Sequence, residues 1–295
     1  MFRQVVFDMK RLWRLLVTAG KDWMEDKAPR LAAALSYYTA FSLPPLLVLL
    51  IGIAGLFLGA DAVRDRMVEE IAGLLGSDSA QLLGDAVAEA QQTTGTGPAV
   101  VIGVGILLFG AIGVFGQLQD SLNTIWEAEP RKSGGVWNFF RARLLSVAAV
   151  LGGGFLLLVS LGVSAAIGGL VELAGRVKGM EPFVIVFDLA ISVAVITVIF
   201  ALIFKLLPDV EISWRDVWFG ALITAILFVA GKFAIGFYLG VSDVGSVYSA
   251  AGSLIVILIW IYYSAMILFF GAELTQAWAA DHGRLHKGSD LHAEA

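Results

Sequence analysis

The stretch FVAGKFAIGFYLG, residues 228–240, carries one charge, Lys232, in a run of Phe, Ile, Val, Ala, Leu, Tyr and Gly. An ammonium group in apolar surroundings is costly unless an anion or water reaches it. Two roles suit such a group: binding an anionic ligand, or fixing helix register through an ion pair. Asp188 is the acid expected to pair with Lys232, with Asp243 as second choice. Tyr238, Ser242 and Tyr248 are placed to extend that network.

A second constellation is SYYTAFSLPPLL, residues 36–47. Pro44 and Pro45 lack an N–H, so the carbonyls of Ala40 and Phe41 lose their helical donors. Ser36, Tyr37, Tyr38, Thr39 and Ser42 bring hydroxyls close by. A broken helix lined with hydroxyls is one way to build a transport cavity; a plain proline kink packed on its neighbours is the other reading. A third group, Asp120, Asn123, Glu273 and Gln276, falls at the ends of apolar runs, with Arg30, Arg141 and Arg143 nearby. It reads as a polar gate or as ordinary interfacial charge.

Other chemistry is excluded or weakly signalled. Cysteine is absent, which removes disulfides, thiolate metal sites and Cys nucleophiles. No HExxH, phosphate-binding loop or nucleophile elbow occurs. His282, His286 and His292 all lie in the last fourteen residues; the spacing of the first two is a weak metal signal, and a tolerant tail is the better reading. A net charge of −5 argues against nucleic-acid binding. We therefore expect no enzyme, no cofactor and no metal.

The elements that must position these residues are membrane spans. The 295 residues are 58% hydrophobic and 15% charged, with mean hydropathy +0.83. Soluble domains are less apolar and more charged. Six runs are long enough to cross a bilayer, near 31–59, 98–118, 143–170, 183–207, 217–240 and 247–273. They are apolar on both parities, which predicts helices rather than a barrel. The first run is expected to be a retained span rather than a cleaved signal. Seven of the twenty Lys and Arg residues fall in 1–30 and four in 119–143, against two in 59–97 and none in 241–246. By the positive-inside rule both termini are cytoplasmic. Lys232 then sits roughly 12 Å inside the outer end of its helix and Asp188 about 8 Å inside the same face.

Residues 1–30 repeat apolar positions at helical spacing, Phe2, Val5, Val6, Met9, Leu12, Trp13 and Leu16, with Lys10, Arg11 and Arg14 off that stripe. This predicts an amphipathic helix, either on the inner leaflet or packed on the bundle. Residues 60–97 predict two short amphipathic extracytoplasmic helices, broken at Gly76-Ser77, with Asp78 and Gln81 as a capping box. Their acids, Asp61, Asp65, Glu69, Glu70, Asp78, Asp85 and Glu89, read as a solvated face more than a cation vestibule. Glycines at 103, 105, 110, 113 and 116, at 152–154, and at 236 and 240 are read as close helix packing.

Several segments together resemble the YihY/BrkB family of bacterial inner-membrane proteins. They are DKAPRLAAALSYYTAFSLPPLLVLLIGIAGLFLG, LQDSLNTIWE, LLPDVEISWRDVWFGALITAILFVAGKFAIGFYLG and YSAAGSLIVILIWIYYSAMILFFGAELTQAWA. The resemblance spans about 22 to 280 and implies a six-helix integral membrane fold. The family's older labels, ribonuclease BN and virulence factor, supply no mechanism. The residues and the resemblance together predict an all-α, six-span protein of the bacterial inner membrane. Its organisation would be a cytoplasmic segment 1–30, a membrane domain 31–280 and a flexible tail 281–295. The leading function is transport or lipid handling of an anionic or amphiphilic ligand, with membrane lipids as partners. The alternative is a non-transporting scaffold that binds an envelope partner through residues 60–97.

Overall fold

The computed structural model describes residues 2–93, 113–128, 181–241 and 250–282, and all the secondary structure among them is helical. In chain order the helices are α1 (Phe2–Glu25), α2 (Ala28–Leu58), α3 (Ala60–Leu75), α4 (Ser77–Thr93), α5 (113–125), α6 (Glu181–Leu206), α7 (Trp214–Val241) and α8 (Ala250–Asp281). Three stretches, Leu189–Leu206, Trp214–Ala234 and Gly252–Asp281, are long and apolar enough to cross a membrane. They correspond to the fourth, fifth and sixth runs read from sequence; α8 continues eight residues past the expected end at 273. Most of the second run and all of the third lie outside the described residues.

The described helices fall into two compact units. One holds α1, residues 120–128, α6, α7 as far as Leu227 and α8 from Leu268. The other holds α2, α3, α4, residues 113–119, α7 from Phe228 and α8 as far as Ile267.

The first unit is held by a close, reciprocal crossing of α7 on α8. Thr275 Oγ1 lies where a Cβ on Gly220 would be, and Thr224 Oγ1 where a Cβ on Gly271 would be. Each threonine hydroxyl donates to the carbonyl one turn back on its own helix, Thr224 to Gly220 and Thr275 to Gly271, at 2.6 Å in both cases. The hydroxyls are thereby satisfied without water, and the glycines let the backbones meet. Neither glycine belongs to the set singled out from sequence. α1 packs on the same crossing: Leu15 and Ala19 are buried with Leu274 and Ala277, flanked by Leu16, Phe219, Ile223, Phe270 and Trp278. Arg11 fastens the helix further, with Nε 2.6 Å from Asp281 Oδ2 and the guanidinium over the Trp278 ring. Packing on the bundle, the second of the two sequence readings, therefore describes one face of α1.

In the second unit, single glycines join consecutive helices. Gly59 N–H donates to the Gly55 carbonyl, closing α2, while its own carbonyl accepts from Val63, opening α3. Gly76 repeats the device between α3 and α4, bonding Ala72 and Ala80. Both have φ near +86° (87° and 85°), which a side chain would strain. α4 accordingly starts at Ser77 with Gly76 at its cap, so Asp78 lies inside the first turn and is not the capping residue expected from sequence. The apolar stripes of α3 and α4 are turned inward: Val63, Leu83 and Val87 are buried, and Met67, Ile71, Leu83 and Val87 line a small pocket with Leu47 and Ile51 of α2. Asp61, Asp65, Glu69, Asp78, Asp85 and Glu89 are exposed, as a solvated face requires.

α2 runs without interruption through Pro44 and Pro45. Two missing donors cost a 31-residue helix only a small share of its hydrogen bonds, and the turns on either side continue. The nearby serines are buried, but they bond their own helix: Ser36 Oγ donates to the Ala33 carbonyl and Ser42 Oγ to that of Tyr38, each at 2.8 Å. They do not serve the carbonyls of Ala40 and Phe41. The Tyr37 and Phe41 rings lie 4.9 Å apart and tilted by 55° along the helix exterior, with Tyr37 59% exposed. Tyr38 lies against Gly113, whose added Cβ would approach its ring to 3.2 Å.

Candidate functional site

Titratable groups converge where the α1–α2 turn meets α8. Asp26 sits in that turn, and its carboxyl lies in hydrogen-bonding range of Glu273 on α8. Glu273 has no exposed surface at all, with a relative exposure of 0%. Burial raises the Asp26 pKa above its ordinary value; the contact with Glu273 works in the opposite sense, and the charges of Glu127, Asp22 and Glu25 raise it further. Two carboxyls this close repel when both are ionised, so the contact is most favourable when one of them carries a proton that the other accepts.

Local backbone geometry sets the acids in place. α1 ends through Lys27 at φ 55°, and α5 ends through Glu127 at φ 48°; these are the non-glycine residues in the left-handed region among those described. At α5 the Glu127 N–H bonds the Thr124 carbonyl at 3.1 Å and the Ala128 N–H bonds that of Asn123 at 2.9 Å. This is a Schellman termination with glutamate where glycine is usual. Both strained positions adjoin the carboxyl pair, one as the next residue and one as a charge that acts on Asp26. Strain held at a non-glycine residue is more common at functional sites than elsewhere.

A second polar contact closes this end. Asn123 Nδ2 donates to Asp209 Oδ2 at 3.0 Å, and the Asp209 N–H donates to Asn123 Oδ1 at 2.8 Å. This double bond ties the end of α5 to the turn between α6 and α7. The same turn is closed by Lys205, whose ammonium donates to the Ile212 carbonyl and lies over the Trp214 ring. Asp216 is buried at the start of α7.

The expected gate residues thus divide. Glu273 joins Asp26, Asn123 joins Asp209, Gln276 is buried one turn beyond Glu273, and Asp120 is exposed. Asp26 and Asp209 were not singled out from sequence; each is an ordinary turn acid until its distant partner is known. His282, assigned to the tail, makes specific contacts: Nδ1 lies 2.8 Å from the Trp278 carbonyl and Nε2 3.1 Å from Arg11 Nη2.

Lys232 is exposed on α7 rather than buried within the protein. Its helix places it on a surface shared with Phe233 and Ala234, which are also exposed. Asp188 lies on α6 and Tyr238 on α7, but their side chains are outside the described residues, as are Ser242, Asp243 and Tyr248. Arg141 and Arg143 are outside them too.

The outer surfaces of the spans complete the picture. On α7, Trp214, Trp218, Leu222 and Ile226 are exposed at four-residue intervals; on α8, Leu254, Ile255 and Ile259 are exposed. Such faces require lipid as their solvent. The family model for virulence factor BrkB matches residues 19–293. The chain belongs to the BrkB family. A "UPF0761 membrane protein" of Pseudomonas paraeruginosa is 29% identical over 258 residues, covering 85% of this chain and 59% of that protein. One from Alkalilimnicola ehrlichii is 27% identical over 273 residues, covering 90% of this chain and 58% of that one. One from Actinobacillus pleuropneumoniae serotype 5b is 23% identical over 262 residues, covering 86% and 90%. This BrkB-family chain spans about three-fifths of the length of the first two of these relatives, 59% and 58%. No solved structure matches it. It is a membrane protein.

Proposed function

We propose that this chain is a proton-dependent transporter of the bacterial inner membrane, with six spans and both termini cytoplasmic, moving an anionic or amphiphilic ligand. The observation that carries the proposal is the Asp26–Glu273 carboxyl pair. A proton held between a half-buried and a fully buried acid, at the end of a span, can be gained and lost as the site opens and closes. Ionisable groups at membrane helices are costly and mark ion and proton routes. The pair also ties the α1–α2 turn to α8, so its ionisation would loosen a helix contact as well as move a charge. The reading is non-enzymatic and calls for no cofactor. It does not depend on Lys232, which is exposed. The scaffold alternative has weaker support, because the apolar stripes of α3 and α4 are used inside the protein and leave a mainly acidic face outside.

The test is reconstitution into liposomes containing fluorescently tagged phosphatidylglycerol, with lipid movement between leaflets followed by dithionite quenching at several internal pH values. Movement should exceed that of protein-free vesicles, vary with pH, and lose its pH dependence in Glu273→Gln. Rates equal to protein-free vesicles would refute lipid movement. A pH profile unchanged by Glu273→Gln would refute the proton site.

A further inference from the structure

α1 has an apolar edge that the bundle leaves uncovered. Leu15 and Ala19 face Leu274 and Ala277, yet Trp13 is 70% exposed and Met24 63%, with Val17 also exposed. At about 100° per residue, Trp13, Met24 and Val17 fall within about 40° of one another around the helix. Lys10, Lys21 and Arg14 occupy the next sector, beginning about 20° beyond Val17. All three bases are exposed, and none has an ion-pair partner among the described residues. The helix therefore presents an apolar strip bordered along its length by a basic one.

Its level in the membrane follows from its contacts. α1 packs with Leu274 and Ala277 of α8, in a cluster flanked by Phe219 and Ile223 of α7 and by Phe270 and Trp278 of α8. These residues lie in the first half of the Trp214–Ala234 stretch and the second half of the Gly252–Asp281 stretch, both long and apolar enough to span a bilayer. Ile223 lies nine residues into α7, so α1 lies about 14 Å or less along the axis from that helix end. The contact is thus confined to one half of the roughly 30 Å hydrocarbon thickness, the half that adjoins one membrane boundary. The Arg11 clasp to Asp281, Trp278 and His282 keeps the helix from rolling, which makes the exposed edge a fixed feature.

We propose that this edge of α1 is a binding surface for anionic phospholipid headgroups. Trp13, Val17 and Met24 enter the acyl boundary while Lys10, Arg14 and Lys21 meet the phosphates. Apolar insertion and basic attraction act together at such a surface, and the three bases would favour anionic over zwitterionic lipid. The inference is independent of any transport activity, since it needs only the membrane and this helix.

The experiment uses the full chain in nanodiscs of phosphatidylcholine, with and without phosphatidylglycerol. Lipids brominated near the top of the acyl chain should quench wild type more than Trp13→Phe, the difference reporting Trp13 alone. Spin-labelled phosphatidylglycerol should associate with wild type in preference to phosphatidylcholine. The triple variant Lys10→Gln, Arg14→Gln, Lys21→Gln should lose about tenfold or more of that preference. Matching thermal unfolding of the variants and wild type establishes that the bundle is intact. Equal preference in wild type and triple variant, or no quenching specific to Trp13, overturns the proposal.

Discussion

Replacing Gly271 with alanine should be among the most damaging small substitutions in this protein. The added Cβ would coincide with Thr224 Oγ1 and come within 2.8 Å of Thr224 Cβ and 2.9 Å of Thr224 Cγ2. Turning the threonine about χ1 cannot relieve this, because its Cβ does not move. Rotation would also break the 2.6 Å bond from Thr224 Oγ1 to the Gly220 carbonyl in a fully buried place. The helices must therefore separate. Overpacking of this kind costs about 1–3 kcal/mol, and an orphaned buried hydroxyl adds about 1–3 kcal/mol. Ala itself favours a helix over Gly by about 1 kcal/mol, which offsets part of the loss. A net loss of about 2–4 kcal/mol should lower Tm by roughly 3–6 °C for a protein of this size. The assay is thermal unfolding in detergent, followed by tryptophan fluorescence. Thr224→Ala in the same background should rescue only partly, since the Cβ stays; Thr224→Gly should remove the clash. A Gly271→Ala protein as stable as wild type would refute the close crossing.

Three other substitutions test separate parts of the structure. Because the folded Asp26 carboxyl holds its proton to higher pH than the unfolded chain does, its contribution is fullest below about pH 3.8 and is lost as pH rises through the raised value. Asp26→Asn should therefore flatten the fall in Tm as pH rises above about 3.8, and an unchanged slope would count against the burial of that carboxyl. Glu127→Gly should raise stability by about 0.5–1 kcal/mol by relieving a left-handed non-glycine backbone, measured as a higher Tm; a lower Tm would mean that the side chain's own contacts outweigh the strain. Asn123→Ala removes both bonds to Asp209 and leaves its N–H without that acceptor, so a loss of about 1–3 kcal/mol is expected in the same assay, and no loss would mean that water replaces the amide.

The positions of long helices were legible in the chain because apolar length is a local property. α6, α7 and the start of α2 fall within a few residues of their expected limits, and the break at Gly76 falls where glycine interrupts two amphipathic stripes. The membrane setting was equally legible, since 58% of the 295 residues are hydrophobic and only 15% charged, outside the usual range of soluble domains. Helix rotation was not legible. Lys232 reads as a buried charge because its neighbours are apolar, but apolar neighbours on a lipid-facing surface look the same as those in a core, and its side chain is exposed. The same ambiguity hid Gly220 and Gly271 among thirty-three glycines: only the facing threonines show which ones carry the crossing. Nor could turn acids be told apart. Asp26 and Glu273 stand at opposite ends of the chain, and Asn123 and Asp209 are 86 residues apart. Composition and apolar length decided that this is a helical membrane protein. Which polar groups meet was decided by how the helices turn and pack, which depends on contacts between residues far apart in sequence.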